Sequence, residues 1–121
     1  MKVTQIYRFH VNLFADPKEA SFACTWEDVA AALEALPGMI FELDGSFVVS
    51  GGDAGSRWHV DGHLFDFAGR LHRLELHGEC PPAAFDELLR CVGWPRQALQ
   101  FEMVREGIMI DEPSLRTAIG N

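Results

Sequence analysis

The chain has 121 residues, of which 48% are hydrophobic and 11% aromatic, a size and composition typical of one folded domain rather than a disordered chain. Its formal net charge of −8 argues against binding to nucleic acid or to an anionic membrane surface, because both require basic patches. No apolar run approaches the ~20 residues of a membrane span, and no signal-peptide core is present at the N-terminus, so a cytoplasmic protein is expected.

The first predicted element is a strand over residues 3–14, in which apolar and polar side chains alternate. Tyr7 and Phe9 share its apolar face, and Arg8 and His10 share its polar face. His10 would join the histidines found later in the chain only if the two strands were neighbours, which the sequence leaves open.

A helix of about three turns is predicted next. Thr25 stands at its N-cap with Asp28 three residues later, the spacing of a capping box, and Pro37-Gly38 ends it. Cys24, just before the cap, is either a buried apolar contact or a thiol nucleophile favoured by the helix N-terminus. Since the three cysteines form no C-x-x-C pair, buried free thiols are expected.

Two hairpins are predicted in the middle of the chain. Residues 39–43 and 46–50 flank Asp44-Gly45, a dipeptide that strongly favours a two-residue hairpin loop. Residues 51–56 are glycine-rich, but they lack the Gly-Lys-Ser/Thr ending of a phosphate-binding loop and are expected to be a flexible connection. The second hairpin covers residues 58–80.

A second helix is predicted after Pro81-Pro82, followed by strands at residues 99–103 and 108–110. The tail, residues 112–121, is weakly patterned and is either a short helix or flexible. The whole chain, residues 1–121, is therefore predicted to be a single α+β domain. It would have an antiparallel sheet of five to six strands with two helices packed on one face.

The second hairpin sorts its side chains by face because strand residues alternate. Its apolar face is predicted to hold Trp58, Val60, Leu64, His72, Leu74 and Leu76. Its polar face is predicted to hold His59, Asp61, His63, Arg73, Glu75, His77 and Glu79.

Two registers fit this hairpin. A type I turn with a bulge at Gly69 places His63 opposite Arg73. A register two residues longer places His63 opposite Glu75, Asp61 opposite His77 and His59 opposite Glu79, with better charge pairing. Both registers keep the same two faces, because a shift of two residues preserves the side-chain alternation.

The polar face suggests a site for a divalent metal such as zinc, with hydrolysis as its chemistry, since imidazole and carboxylate are metal ligands. Adjacent side chains on one strand face lie ~6.5–7 Å apart, close enough to share an ion. His59 and His63, two positions further apart on the same strand, are ~13 Å apart and cannot share one. The same groups would otherwise serve acid–base catalysis, or form a solvated face of paired charges. The ligand set considered for the metal is His59, Asp61, His63, Glu75 and His77.

The leading hypothesis is a small acidic module without catalysis or cofactor, which has an interaction or regulatory role. It would bind a protein partner, or itself as a homodimer, through the open sheet face or a strand edge. Aromatic residues and arginine are typical of interface centres, and the binding surface is predicted to contain Phe65, Phe67, Arg73 and His59. A third hypothesis is a ligand pocket between sheet and helices lined by Trp26, Trp58 and Trp94.

Overall fold

The computed structural model describes residues 5–120, so Val3 and Thr4 of the first predicted strand lie outside the described residues. A 3-10 helix, Pro17–Glu19, follows the first strand. The main elements are β1 (Tyr7–Ala15), α1 (Trp26–Glu34), β2 (Met39–Phe41), β3 (Ser46–Gly51), β4 (Trp58–Phe67), β5 (Arg70–Cys80), α2 (Pro82–Arg90), β6 (Leu99–Met103), β7 (Ile108–Asp111) and α3 (Glu112–Ile119).

The strands of residues 5–120 form one antiparallel sheet of seven, in the order β2-β3-β4-β5-β1-β6-β7. The α+β class is confirmed, but the prediction of five to six strands and two helices was wrong in both counts. No predicted strand is missing, since the short edge strands β2 and β7 lie at the predicted residues 39–43 and 108–110, so the error was to expect that one of these segments would not join the sheet. The third helix, α3, has Pro113 in its first turn and Asp111 as its N-cap, two signals that a weakly apolar tail obscured.

The hydrophobic core lies on one face of the sheet. Alternate residues of β1 point into it, from Tyr7 to Leu13, because a strand presents every second side chain to the same side. All three helices of the described chain contribute to this one core, which leaves the opposite sheet face without a helix. The helix residues in it are Val29, Ala30, Leu33, Phe85, Leu88, Leu89, Leu115 and Ile119.

The predicted start of α1 is confirmed. The Thr25 hydroxyl accepts from the Asp28 N–H at 3.0 Å, and the Asp28 carboxylate accepts from the Thr25 N–H at 3.1 Å. This capping box satisfies two backbone donors that would otherwise lack partners at the helix end.

Thr25→Ala is expected to lower the free energy of unfolding by about 1 kcal/mol, because the first turn of α1 loses its side-chain acceptor. Urea denaturation measures the change. Thr25→Ser keeps the hydroxyl and serves as the matched control, which should stay close to the parent protein. Equal stability of the two variants would show that the cap contributes nothing.

The β4–β5 hairpin adopts the longer of the two predicted registers, with His59 opposite Glu79, Asp61 opposite His77 and His63 opposite Glu75. The alternative with a type I turn and a bulge at Gly69 was wrong. Ala68 and Gly69 both have positive φ, 54° and 80°, as in a type I′ loop, whose twist matches that of the paired strands.

The extra residue is absorbed instead by a bulge in the pairing between Phe65 and Asp66. This bulge turns His72 away from the apolar face on which it was predicted, and its side chain is exposed. Leu71 is the buried residue at this end of β5. The remaining predicted faces of the hairpin agree with the structure, with Val60, Leu64 and Leu74 in the core.

Candidate functional site on the open sheet face

The open face, defined as the sheet face opposite the helices, combines side chains from three central strands. β5 lies between β4 and β1, so the polar residues of the hairpin continue directly onto the first strand. His10 lies opposite His77, and Asn12 lies opposite Glu75. The question that the sequence left open for His10 is thereby answered, since it joins the histidines of the hairpin.

Three side chains of the β4–β5 hairpin form a stack on the open face. The guanidinium carbon of Arg73 lies 3.8 Å from the centroid of the Phe65 ring. The His63 ring stacks on the same phenyl group with a centroid distance of 4.1 Å and an interplanar angle of 19°. Stacked arginine and aromatic rings attract each other electrostatically and hold each other in one orientation.

This stack continues into a larger aromatic cluster. Arg73 Nη1 lies 3.2 Å from His72 Nδ1. The His72 ring in turn contacts the rings of Phe14 and Phe67, with centroid distances of 5.7 and 6.2 Å. We call this set the aromatic–arginine patch, and its members are Phe14, His63, Phe65, Phe67, His72 and Arg73.

Hydrogen bonds from a neighbouring strand fix the arginine of the patch. Arg73 Nε donates to Asn12 Oδ1 at 3.2 Å. The Asn12 amide donates in turn to Glu102 Oε1 at 2.9 Å. Because β6 and β1 supply these acceptors, the guanidinium is held over Phe65 before any ligand arrives.

A groove of about 300 Å³ adjoins the patch at the tip of the hairpin. Phe14, Phe67 and His72 form part of its wall, and Phe22 and Arg70 form another part. Phe67 is 73% exposed, so its ring is open to solvent beside this groove. The groove therefore offers a recess beside an exposed ring, suited to a partner's side chain.

The predicted binding surface is brought together in part. Phe65, Phe67 and Arg73 belong to the patch, whereas His59 lies at the other end of the hairpin, opposite Glu79. His59 Nε2 is 3.6 Å from Asp61 Oδ2, and the two side chains are 63% and 61% exposed. The sequence did not predict Phe14 or His72 as part of a binding surface. Phe14 joins the patch because β1 lies next to β5, and His72 joins it because of the bulge.

The five residues considered for a metal are divided among separate contacts. Glu75 is paired with His10 at 2.9 Å, and His77 stacks on the same His10 ring at 4.1 Å. His63 stacks on Phe65, and His59 lies beside Asp61. Within residues 5–120 no three His, Cys, Asp or Glu side chains converge as a metal-binding group. Metal binding there stays a prediction from the sequence.

The His10–Glu75 pair places an imidazole beside a carboxylate, the combination that acid–base catalysis uses.

The three free thiols lie in the core or pack against it. Burial and the nearby Asp28 raise the pKa of the Cys24 thiol, which donates to the Val92 carbonyl at 3.5 Å. Burial, with a smaller effect of Asp86, raises the pKa of Cys80 to about 12. Burial, with a smaller effect of Glu87, raises the pKa of Cys91 to about 11. All three are therefore protonated thiols at neutral pH, which disfavours the nucleophile hypothesis for Cys24.

The three tryptophans do not line one pocket. Trp26 Nε1 donates to the Leu64 carbonyl at 3.1 Å, beside the Phe41 ring. Trp94 Nε1 donates to Glu112 at 3.4 Å, near α3. Trp58 alone of the three lines a groove, on the helix side of the sheet.

Comparison with known proteins gives no match. No family model, curated protein or solved structure matches this chain. Of the helices in residues 5–120, none has both the length and the apolar character needed to cross a membrane.

Proposed function

We propose that this protein is a non-catalytic interaction module that binds a protein partner through the aromatic–arginine patch. The observation that supports this most is the Arg73 guanidinium stacked at 3.8 Å on Phe65 and tied to Asn12. Arginine and large aromatic side chains dominate the energetics of protein interfaces, especially at their centres. A fixed guanidinium also reduces the conformational entropy that binding would otherwise cost.

Charge indicates the chemistry of the partner. The patch contains a guanidinium and no carboxylate, and Arg70 lines the adjoining groove, although the chain as a whole carries a net charge of −8. A segment with carboxylates for the arginines and apolar side chains for the groove would complement this surface. A nucleic acid would also stack on aromatic rings, but it would be repelled by the acidic remainder of the molecule.

Phe67→Ala and Arg73→Ala are each expected to weaken partner binding by about 30-fold or more, the effect of truncating a hot-spot residue. The experiment is affinity capture from the source cells with quantitative mass spectrometry, followed by calorimetry with the purified partner. Leu43→Ala is the matched control, because Leu43 is 99% exposed in the β2–β3 turn, outside the patch. It should capture the partner as the parent protein does.

Self-association is tested in parallel by analytical ultracentrifugation. A homodimer that dissociates in the Arg73→Ala variant and persists in the Leu43→Ala variant would make a second copy the partner. A strict monomer whose captured proteins are the same for all variants would contradict the proposal. The circular dichroism spectrum of each variant confirms that it is folded.

A further inference from the structure

A second concave surface lies on the helix side of the sheet, away from the aromatic–arginine patch. It is a groove of about 380 Å³ between the end of α1, strand β3 and the first turns of α2. Its walls are largely apolar and include Leu36, Val49, Ala84 and Leu88. This volume is near the lower end of the range for small-molecule sites, which are mostly apolar with a few polar groups.

The indole of Trp58 forms one wall of the groove. It fits there because the two residues beside it are glycines, which have no side chains. A Cβ atom at Gly51 would lie 2.4 Å from Cζ2 of the indole, which is closer than real atoms approach. A Cβ atom at Gly52, where φ is +87°, would lie 3.2 Å from Cδ1. The glycine-rich segment predicted to be a flexible connection thus lets the indole lie against the β3 backbone and present a fixed aromatic surface.

Among the described residues that line the groove, Glu87 is the only charged one. Its side chain also borders an adjoining cavity of about 270 Å³, which shares Leu36 with the groove. No ion pair to Glu87 is formed by the side chains of residues 5–120. Glu87 is exposed, and Arg90 borders the adjoining cavity with it, at no ion-pair distance. A carboxylate beside an aromatic wall is complementary to a cation attached to a flat apolar group.

We propose that this groove binds a small planar aromatic compound that carries a protonated amine. The ring lies against Trp58 and the aliphatic wall, and the ammonium group lies near the Glu87 carboxylate. The apolar wall provides most of the affinity, and the carboxylate selects the charge of the ligand. This site is separate from the protein-binding patch, and either one can fail without the other.

Two probes of equal shape and opposite charge test the proposal, phenethylamine and phenylacetate. In NMR titrations of the full chain, phenethylamine should bind about five-fold more tightly, because the exposed Glu87 carboxylate attracts one probe and repels the other across water that contains screening salt. The largest shifts should occur at the Trp58 indole N–H and at the amides of Gly51 and Glu87. Shifts spread over the surface, equal affinities for both probes, or no binding of either would overturn the proposal.

Two variants separate the effect of the Glu87 charge on binding from the effect of the Trp58 wall. Glu87→Gln should abolish the preference for the amine while both probes still bind, and Glu27→Gln, at an exposed position of α1, should keep the preference. Gly51→Ala displaces the indole and should weaken both probes at least five-fold. A Glu87→Gln protein that still prefers the amine, or a Gly51→Ala protein that binds both probes as before, would refute the assignment.

Discussion

Replacing Arg116 by methionine should lower the free energy of unfolding by about 2–4 kcal/mol, because the substitution breaks a largely buried ion cluster. Arg116 lies on α3 with its side chain only 20% exposed, and it forms two short ion pairs. Its Nη2 is 2.7 Å from Asp86 Oδ1 on α2, and its Nε is 2.6 Å from Glu112 Oε2 one turn earlier. The guanidinium thus ties the last helix to the second.

The cost arises from the carboxylates that the substitution leaves behind. Asp86 Oδ1 is buried, and within the described chain its ion pair with Arg116 is the interaction that compensates it. Desolvation lowers the pKa of Arg116, but hydrogen bonds with Tyr7 and Glu112 and the charge of Asp86 outweigh that effect and raise the pKa. Removing one partner of such a cluster exposes the full desolvation penalty of the others.

Arg90→Met is the matched control. Arg116 and Arg90 both lie over the Trp94 ring, at 5.2 and 5.7 Å from its centroid, but Arg90 is exposed and forms no ion pair within the described chain. It should change stability by less than about 0.5 kcal/mol. Adding Asp86→Leu and Glu112→Gln to Arg116→Met should recover at least half of the loss, since buried ion clusters are replaceable by apolar groups. Thermal and urea unfolding measure all variants. A loss of less than about 1 kcal/mol for Arg116→Met would contradict this account.

Elements held together by neighbours in the chain were predictable from the sequence. The capping box of Thr25 and Asp28 and the hairpin around Asp44-Gly45 are both local, and both occur. The two-residue loop predicted for this hairpin was wrong, because Phe41 pairs with Phe47 and the Glu42 N–H donates to the Ser46 carbonyl, which leaves three residues in the loop. The alternation of the β4–β5 hairpin was also sufficient to assign its faces, except at His72 beside the bulge, since a two-residue change of register preserves them. The same kind of signal, Glu112 four residues before Arg116, was present in the tail and would have supported a helix there.

Elements that depend on distant partners were not predictable. β1 lies next to β5, more than 60 residues away in the chain, and only this pairing brings Asn12 under Arg73 and His10 onto Glu75. The bulge that exposes His72 also depends on the choice of turn, which two competing patterns left undecided. The composition of the open face was therefore evident in advance, whereas the patch within it was not.

Gly62→Ala should lower the free energy of unfolding by about 2–3 kcal/mol, in the upper part of the range for overpacking a core. Gly62 lies in the centre of β4, opposite Phe47 of β3. A Cβ atom there would lie 2.0 Å from Cζ of the Phe47 ring. The ring has little freedom to retreat, because it is only 3% exposed and stacks on Phe41 with a centroid distance of 6.0 Å.

Shortening the opposing side chain tests the cause. Phe47→Leu removes the atoms that meet the new methyl group, so the double variant with Gly62→Ala should be more stable than the sum of the two single losses by at least 1 kcal/mol. Urea unfolding of all four proteins in the cycle measures this coupling. If the two losses are additive, the destabilisation by Gly62→Ala arises from the backbone of β4 and not from a clash with the Phe47 ring. The favourable coupling is expected because Gly62 has no side chain, and the Phe47 ring occupies that space on the core side of β4. The neighbouring residues Asp61 and His63 point to the open face, so they do not meet the ring.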